Sequence, residues 1–219
     1  MSLILELVDL SIDYFATFKE PQLDQIKEES RINLFKKLTT NFNLKLTDLR
    51  IDSVSISDKF VKFSKFIDRT FFDVSFGVEQ ILATLRNPVN MEQVEKQFGS
   101  LFEIIEGIPI ELQRFVIQAQ SNTKGDSKAF LQKLTPYTPD KFNNLVAGKG
   151  ITYHLQFQEF NLKGFVTVSD SIILEKGIFV FIQFEFSPNK YTPNESSQIA
   201  SDKFNFILKE LDLSVLPEA

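Results

Sequence analysis

Three consecutive segments near the C-terminal end, "ITYHLQFQEF", "KGFVTVSDSIIL" and "GIFVFIQFEF", alternate apolar and polar residues with a period of two. Such alternation is the pattern of strands with one buried face. The breaks between them, at Asn161 and near Lys176-Gly177, are too short to hold a crossover helix. Strands joined this way must pair antiparallel, so the region reads as a three-strand meander. In the last segment Ile178 to Ile182 is apolar at every position, which predicts a central strand buried on both faces, with Phe181 in its core.

Upstream, "LVDLSIDYF" places Leu10, Ile12 and Tyr14 on one strand face. Leu5 and Leu7 have the opposite parity, so a strand over 3–15 needs a bulge near Val8. A helix with a stripe of Glu6, Asp9, Asp13 and Thr17 is the alternative. Pro21 is placed to open a helix carrying Leu23, Ile26, Leu34, Phe35, Leu38 and Phe42. "NLKLTDLRIDSVSIS" reads as strand material, and "RTFFDVSFGV" sets Phe72, Val74, Phe76 and Val78 on one face. Asn90 and Gln93 suit a capping box before Met91, Val94, Phe98, Leu101, Phe102 and Ile105, and Gly107 and Pro109 end that helix. "ELQRFVIQAQS" is the next strand. A last helix is expected from about Ser196 to Leu211.

The order predicts an α+β fold: mostly antiparallel sheets with helices packed on one face, in two halves of similar kind. The divisions expected are an N-terminal half over 1–121, a helical linker over 122–150 rich in Gly and Pro, and a meander plus helix over 151–219, all of which can form one domain. The layout resembles a family of uncharacterised bacterial proteins of similar length. Its members open with a strand like "ILELVDLSIDYF", run a helix like "MEQVEKQFGSLFEIIEGI" into a strand like "ELQRFVIQAQSN", and end with a helix like "SSQIASDKFNFILKEL". The resemblance implies a fold and no particular activity.

Composition excludes several chemistries. There is no cysteine and one histidine, so disulfides, thiol nucleophiles, iron–sulfur clusters and Cys- or His-pair zinc sites do not arise within one chain. No cofactor is expected. The net charge of -5 argues against general nucleic-acid binding. No apolar run is long enough for a membrane helix and the N-terminus has no basic n-region, so the expected location is the cytoplasm. No nucleotide-binding or nucleophile-elbow pattern occurs. "AGKGIT" offers backbone N–H groups in principle but reads as a turn, and Asp9 with Asp13 reads as a solvated face. Asn194-Glu195-Ser196 is a sequon without a secretory context.

Two places remain as candidate binding positions. One is "SDKFVKFSKFIDR": Lys59, Lys62 and Lys65 recur every three residues, as do Phe60, Phe63 and Phe66, with Arg69 following. As a helical turn this gives a basic and an aromatic stripe able to meet nucleic acid or an acidic partner. As a strand, Phe60 and Phe66 share one face and Phe63 takes the other, and the lysines protect a sheet edge. The other is His154, on the polar face of its strand. The leading expectation is a non-enzymatic protein that binds a macromolecular partner or itself. A small-molecule binder or enzyme with a Phe-lined pocket is the alternative, and a nucleic-acid contact through 59–69 the third reading.

Overall fold

A computed structural model describes residues 3–53, 59–67, 70–135, 148–188 and 190–215, without the side chains of 25, 26, 52, 53, 59, 60 and 67. Its elements are β1 (Leu3–Phe18), α1 (Glu28–Phe42), β2 (Leu49–Ser53), β3 (Lys59–Ile67), β4 (Thr70–Phe76), β5 (Gln80–Arg86), α2 (Met91–Ile104), β6 (Ile110–Lys124), α3 (Ser127–Leu134), β7 (Gly150–Phe157), β8 (Leu162–Asp170), β9 (Gly177–Phe186), α4 (Pro193–Glu210) and β10 (Leu213–Val215). This is the α+β class, with antiparallel pairing from β2 through β5 and between β7 and β8. Residues 3–15 are strand, not helix.

The chain forms two compact units. The first comprises Met1–Ser11, Val116–Phe184 and Ile199–Ala219; the second comprises Ile12–Phe115 and Glu185–Gln198. The segment 122–150 falls within the first unit.

In the second unit the strand order is β2-β3-β4-β5-β1-β6. The expected set Phe72, Val74, Phe76 and Val78 is buried. Above this face, Phe42 of α1 stacks against Phe63 and Phe72, and Phe98 of α2 meets Phe72 edge-on. Tyr14 lies between Phe102 and Phe115, and Phe186 continues the chain of rings to Tyr191. Rings at 4.9–6.1 Å in tilted or edge contacts fill the space between sheet and helices, as aromatic quadrupoles favour. These phenylalanines form a buried aromatic cluster.

Several local readings are corrected. Pro21 precedes a 3-10 turn at Leu23–Ile26, and α1 begins only at Glu28. Leu23 is exposed, and α1 buries Leu34, Leu38 and Phe42 but not all of Phe35. Asn90 caps α2 by accepting from the Gln93 N–H, but the Gln93 side chain accepts from Val89 N–H and Thr70 Oγ1, one residue upstream of a standard capping box. Helix α4 starts at Pro193, three residues earlier than expected. Thr192 and Glu195 exchange bonds there, with Thr192 N–H donating to the Glu195 carboxylate and Glu195 N–H donating to Thr192 Oγ1.

In the first unit the order is β1-β6-β9-β8-β7, with β10 parallel to β1. The meander and its turn at Asn161, which takes a left-handed φ of 50°, are as expected. Burial in β1 falls on odd positions at Leu3 and Leu5 and on even positions at Tyr14, Ala16 and Phe18, the switch of parity that the sequence required. Lys203 of α4 anchors against the β7–β8 turn. Its ammonium lies 4.7 Å from the Phe160 ring and 5.2 Å from the Phe157 ring, and pairs with Glu159 at 2.7 Å.

Phe181 is not in the core, contrary to the sequence expectation. Strand β9 alternates strictly, burying Ile178, Val180, Ile182, Phe184 and Phe186, and leaves Phe179 and Phe181 half-buried on the other face. A run of apolar residues does not require two covered faces. A side chain of this size on the second face can shield itself against a neighbour, as Phe181 does edge-on against Phe165 at 5.7 Å. Phe184→Ala is expected to cost about 3–5 kcal/mol and Phe181→Ala only about 1 kcal/mol, read as shifts in the urea midpoint.

Candidate interaction surface

The Lys/Phe triplet lies on β3, and a strand dissolves the three-residue stripe. Alternation sends Val61, Phe63 and Lys65 to the helix-covered face and Lys62, Ser64 and Phe66 to the other. Phe63 is buried, whereas Phe66 is 77% exposed and leans on Phe71 at 5.1 Å. Lys65 turns inward, and its ammonium donates to the carbonyl of Phe42, the last residue of α1. There it satisfies an orphan carbonyl and complements the negative end of the helix. Lys62 and Lys65 thus do not share a surface. The lysines also do not guard an edge, because β2 takes the outermost place and β3 is an inner strand. Lys59 and Phe60 belong to β3 but their side chains lie outside the described residues, as does Arg69.

The other chemistry-bearing groups are engaged structurally. Asp13 accepts from Thr84 Oγ1 at 2.6 Å, and Asp9 is exposed. In "AGKGIT" the Lys149 N–H donates to the Asp170 carboxylate at 2.6 Å, so an internal anion already occupies that donor. Among the described residues no group of three or more His, Asp or Glu is placed to hold a metal ion. One open depression, of about 220 Å³, is lined by Ser30, Asn33, Leu34, Lys37, Phe76, Ile104 and Ile108. Sites for drug-sized ligands run from about 300 to 1,000 Å³. No described helix is long and apolar enough to cross a membrane.

Buried Tyr14 is a special case. Its hydroxyl donates to Gln113 Oε1 at 3.2 Å, and Gln113 Nε2 donates to the Tyr191 carbonyl at 2.8 Å. Burial raises the phenol well above its ordinary range.

His154 is where the first unit becomes distinctive. It is exposed on β7, which is outermost in this unit's strand order. On that face its ring meets Phe165 edge-on at 5.0 Å, and Phe165 meets Phe181 at 5.7 Å, so three rings cross β7, β8 and β9 as a ladder. One step along, the hydroxyls of Thr152 and Thr167 bond at 2.9 Å. The covered face of β7 carries Ile151, Tyr153, Leu155 and Phe157, all only half-buried, whereas Leu162, Val166 and Val168 on β8 are fully buried.

The outward edge of β7 has a defined hydrogen-bonding parity. Asp170 N–H donates to the Lys149 carbonyl at 2.8 Å. Bonded and non-bonded pairs alternate along an antiparallel ladder. In the observed register, 151/168, 153/166 and 155/164 then exchange bonds, while 152/167, 154/165 and 156/163 do not. The close side-chain contacts at Thr152/Thr167 and His154/Phe165 fit the shorter spacing of non-bonded pairs. Thr152, His154 and Gln156 therefore direct their N–H and C=O groups away from β8, to the side on which no strand pairs with β7 among the described residues. The sequence alone gave no sign of this, because which strand lies outermost depends on long-range pairing.

The edges of the two units are treated differently. Strand β2 has five residues, with Arg50 and Asp52 among them. Short length and charge are the usual protection of an edge. Strand β7 has eight residues, no Pro and no Asp, Glu, Lys or Arg.

No family model matches this chain, and no curated protein matches it. Among solved structures, one from Bacillus halodurans described as a "putative adenylate cyclase" is 12% identical, with alignment over 100% of this chain and 96% of that one, at a TM-score of 0.19.

Two outcomes follow from the engaged groups. Lys65→Met is expected to lower stability by about 1 kcal/mol, and Lys62→Gln by less than about 0.5 kcal/mol, in urea unfolding at neutral pH. Because the folded-state affinity of Tyr14 for its proton is raised, its contribution is intact below the unfolded phenol value near 10 and is lost as pH rises above it. The urea midpoint of wild type is expected to fall above about pH 10, and more steeply than that of Tyr14→Phe.

Proposed function

We propose that this chain is a non-enzymatic binding protein, and that its first unit takes up an extended polypeptide segment along β7. The observation that carries the reading is the long, uncharged, proline-free edge of β7, with donors and acceptors of Thr152, His154 and Gln156 turned outward. A strand added to such an edge gains main-chain hydrogen bonds, and alternate side chains supply specificity. The flanking faces suit this. One presents the half-buried row Ile151, Tyr153, Leu155 and Phe157, the other the His154–Phe165–Phe181 ladder.

Selection from a random peptide display library tests the reading. Enriched peptides are expected to alternate apolar and polar residues, to compete with one another, and to slow amide exchange in β7. They are expected to lose binding to His154→Pro, in which an outward N–H is removed and no β7–β8 bond is lost. Enriched peptides that bind this variant as well as wild type, or that protect other segments, would contradict the assignment.

A further inference from the structure

We infer that the strand β7 accepts is β7 of a second copy, paired antiparallel about a two-fold axis at Tyr153. The inference rests on the reading of β7 as a strand-accepting edge and adds its occupant and register. Three features point to self-pairing. First, the parity is self-complementary. Residues 150, 152, 154 and 156 face outward, so in a two-fold antiparallel pair they must oppose one another, and the paired residue numbers must sum to an even value. Sums of 306 and 308 each pair seven of the eight strand residues, but 308 would set Gly150 against Gln158, already in a 3-10 turn, so the register taken is 306. It sets Thr152 against the second copy's His154, Gly150 against Gln156, and Tyr153 against itself.

Second, this register matches faces as well as backbones. Ile151 meets Leu155 and Tyr153 meets Tyr153 on the half-buried side, while Thr152 and His154 meet on the polar side. The partly exposed apolar row of β7 would gain the neighbours that its counterpart on β8 already has. Third, the charges permit it. Each chain carries a net charge of -5, but 150–157 contains no formally charged residue, so two copies meet where like-charge repulsion is least. An isologous pair of this kind also closes, leaving no outward β7 edge for further growth.

The absence of native cysteine makes the register directly readable. Tyr153 falls at a non-bonded pair, where Cα atoms approach to about 4.5 Å, within the range a disulfide spans. Under mild oxidation Tyr153→Cys is expected to convert nearly all of the 25.2 kDa chain to a covalent dimer. Ile151→Cys, offset from its own counterpart, and Asn194→Cys on the exposed start of α4 are expected to give little. Sedimentation of unmodified wild type is expected to show a concentration-dependent dimer that His154→Pro abolishes. A wild type that stays monomeric at all concentrations, or Tyr153→Cys oxidising no faster than Asn194→Cys, overturns the inference. Titration of a synthetic GKGITYHLQFQEF peptide into the wild type then separates the two claims. Binding to a monomeric wild type overturns the self-pairing and leaves the strand-accepting edge standing. A monomer that does not bind the peptide also overturns the self-pairing, and the library selection then decides the strand-accepting edge.

Discussion

A strand has two sides to satisfy, and a sheet always runs out of strands. Unpaired N–H and C=O groups at an edge must be left to water, guarded against chance pairing, or given a partner. Most of what is distinctive in this protein follows from how it meets that constraint. In the second unit the outermost strand is short and contains an arginine and an aspartate. In the first unit the outermost strand is long and bears no formal charge. The half-burial of Ile151, Tyr153, Leu155 and Phe157 belongs to the same picture, since covering layers thin toward an edge beyond which no strand lies among the described residues.

The abundance of phenylalanine is mostly explained by packing. In the second unit Phe42, Phe63, Phe72, Phe98, Phe102, Phe115 and Phe186 form one run of ring contacts that joins α1 and α2 to the sheet. In the first unit the aromatic residues do something different. Phe157 and Phe160 hold the ammonium of Lys203 against the β7–β8 turn, and Phe165 and Phe181 lie on the opposite, more open face beside His154.

Periodicity made much of the fold legible. The meander, the alternation of β4, the stripe of α2 and the change of parity in β1 could each be read from spacing alone. What failed had physical causes. Triplet spacing in "KFVKFSKF" suggested stripes, but the period of two on β3 scattered them, burying Phe63 and turning Lys65 to the end of α1. The five apolar residues from Ile178 to Ile182 suggested two buried faces, whereas a large ring can remain half-buried against a cross-strand neighbour. The start of α4 is encoded in Thr192-Pro193-Asn194-Glu195, a capping residue, a first-turn proline and a reciprocal carboxylate, whereas the apolar stripe begins only later. The open edge was not legible at all. His154 could be assigned to a polar face, but its position on an outermost strand is a property of strand order, which local sequence does not encode.

The account's central claim is that every second amide of β7 faces an edge awaiting a strand. Residue-resolved hydrogen exchange by NMR tests it directly. In dilute solution the amides of Tyr153 and Leu155, bonded to β8, are predicted to exchange slowly, and those of Thr152, His154 and Gln156 quickly. On concentration the fast set alone is predicted to become protected, because a second copy supplies the missing acceptors. Equal protection of odd and even positions in dilute solution, or fast exchange at Thr152, His154 and Gln156 that no concentration changes, would contradict the account.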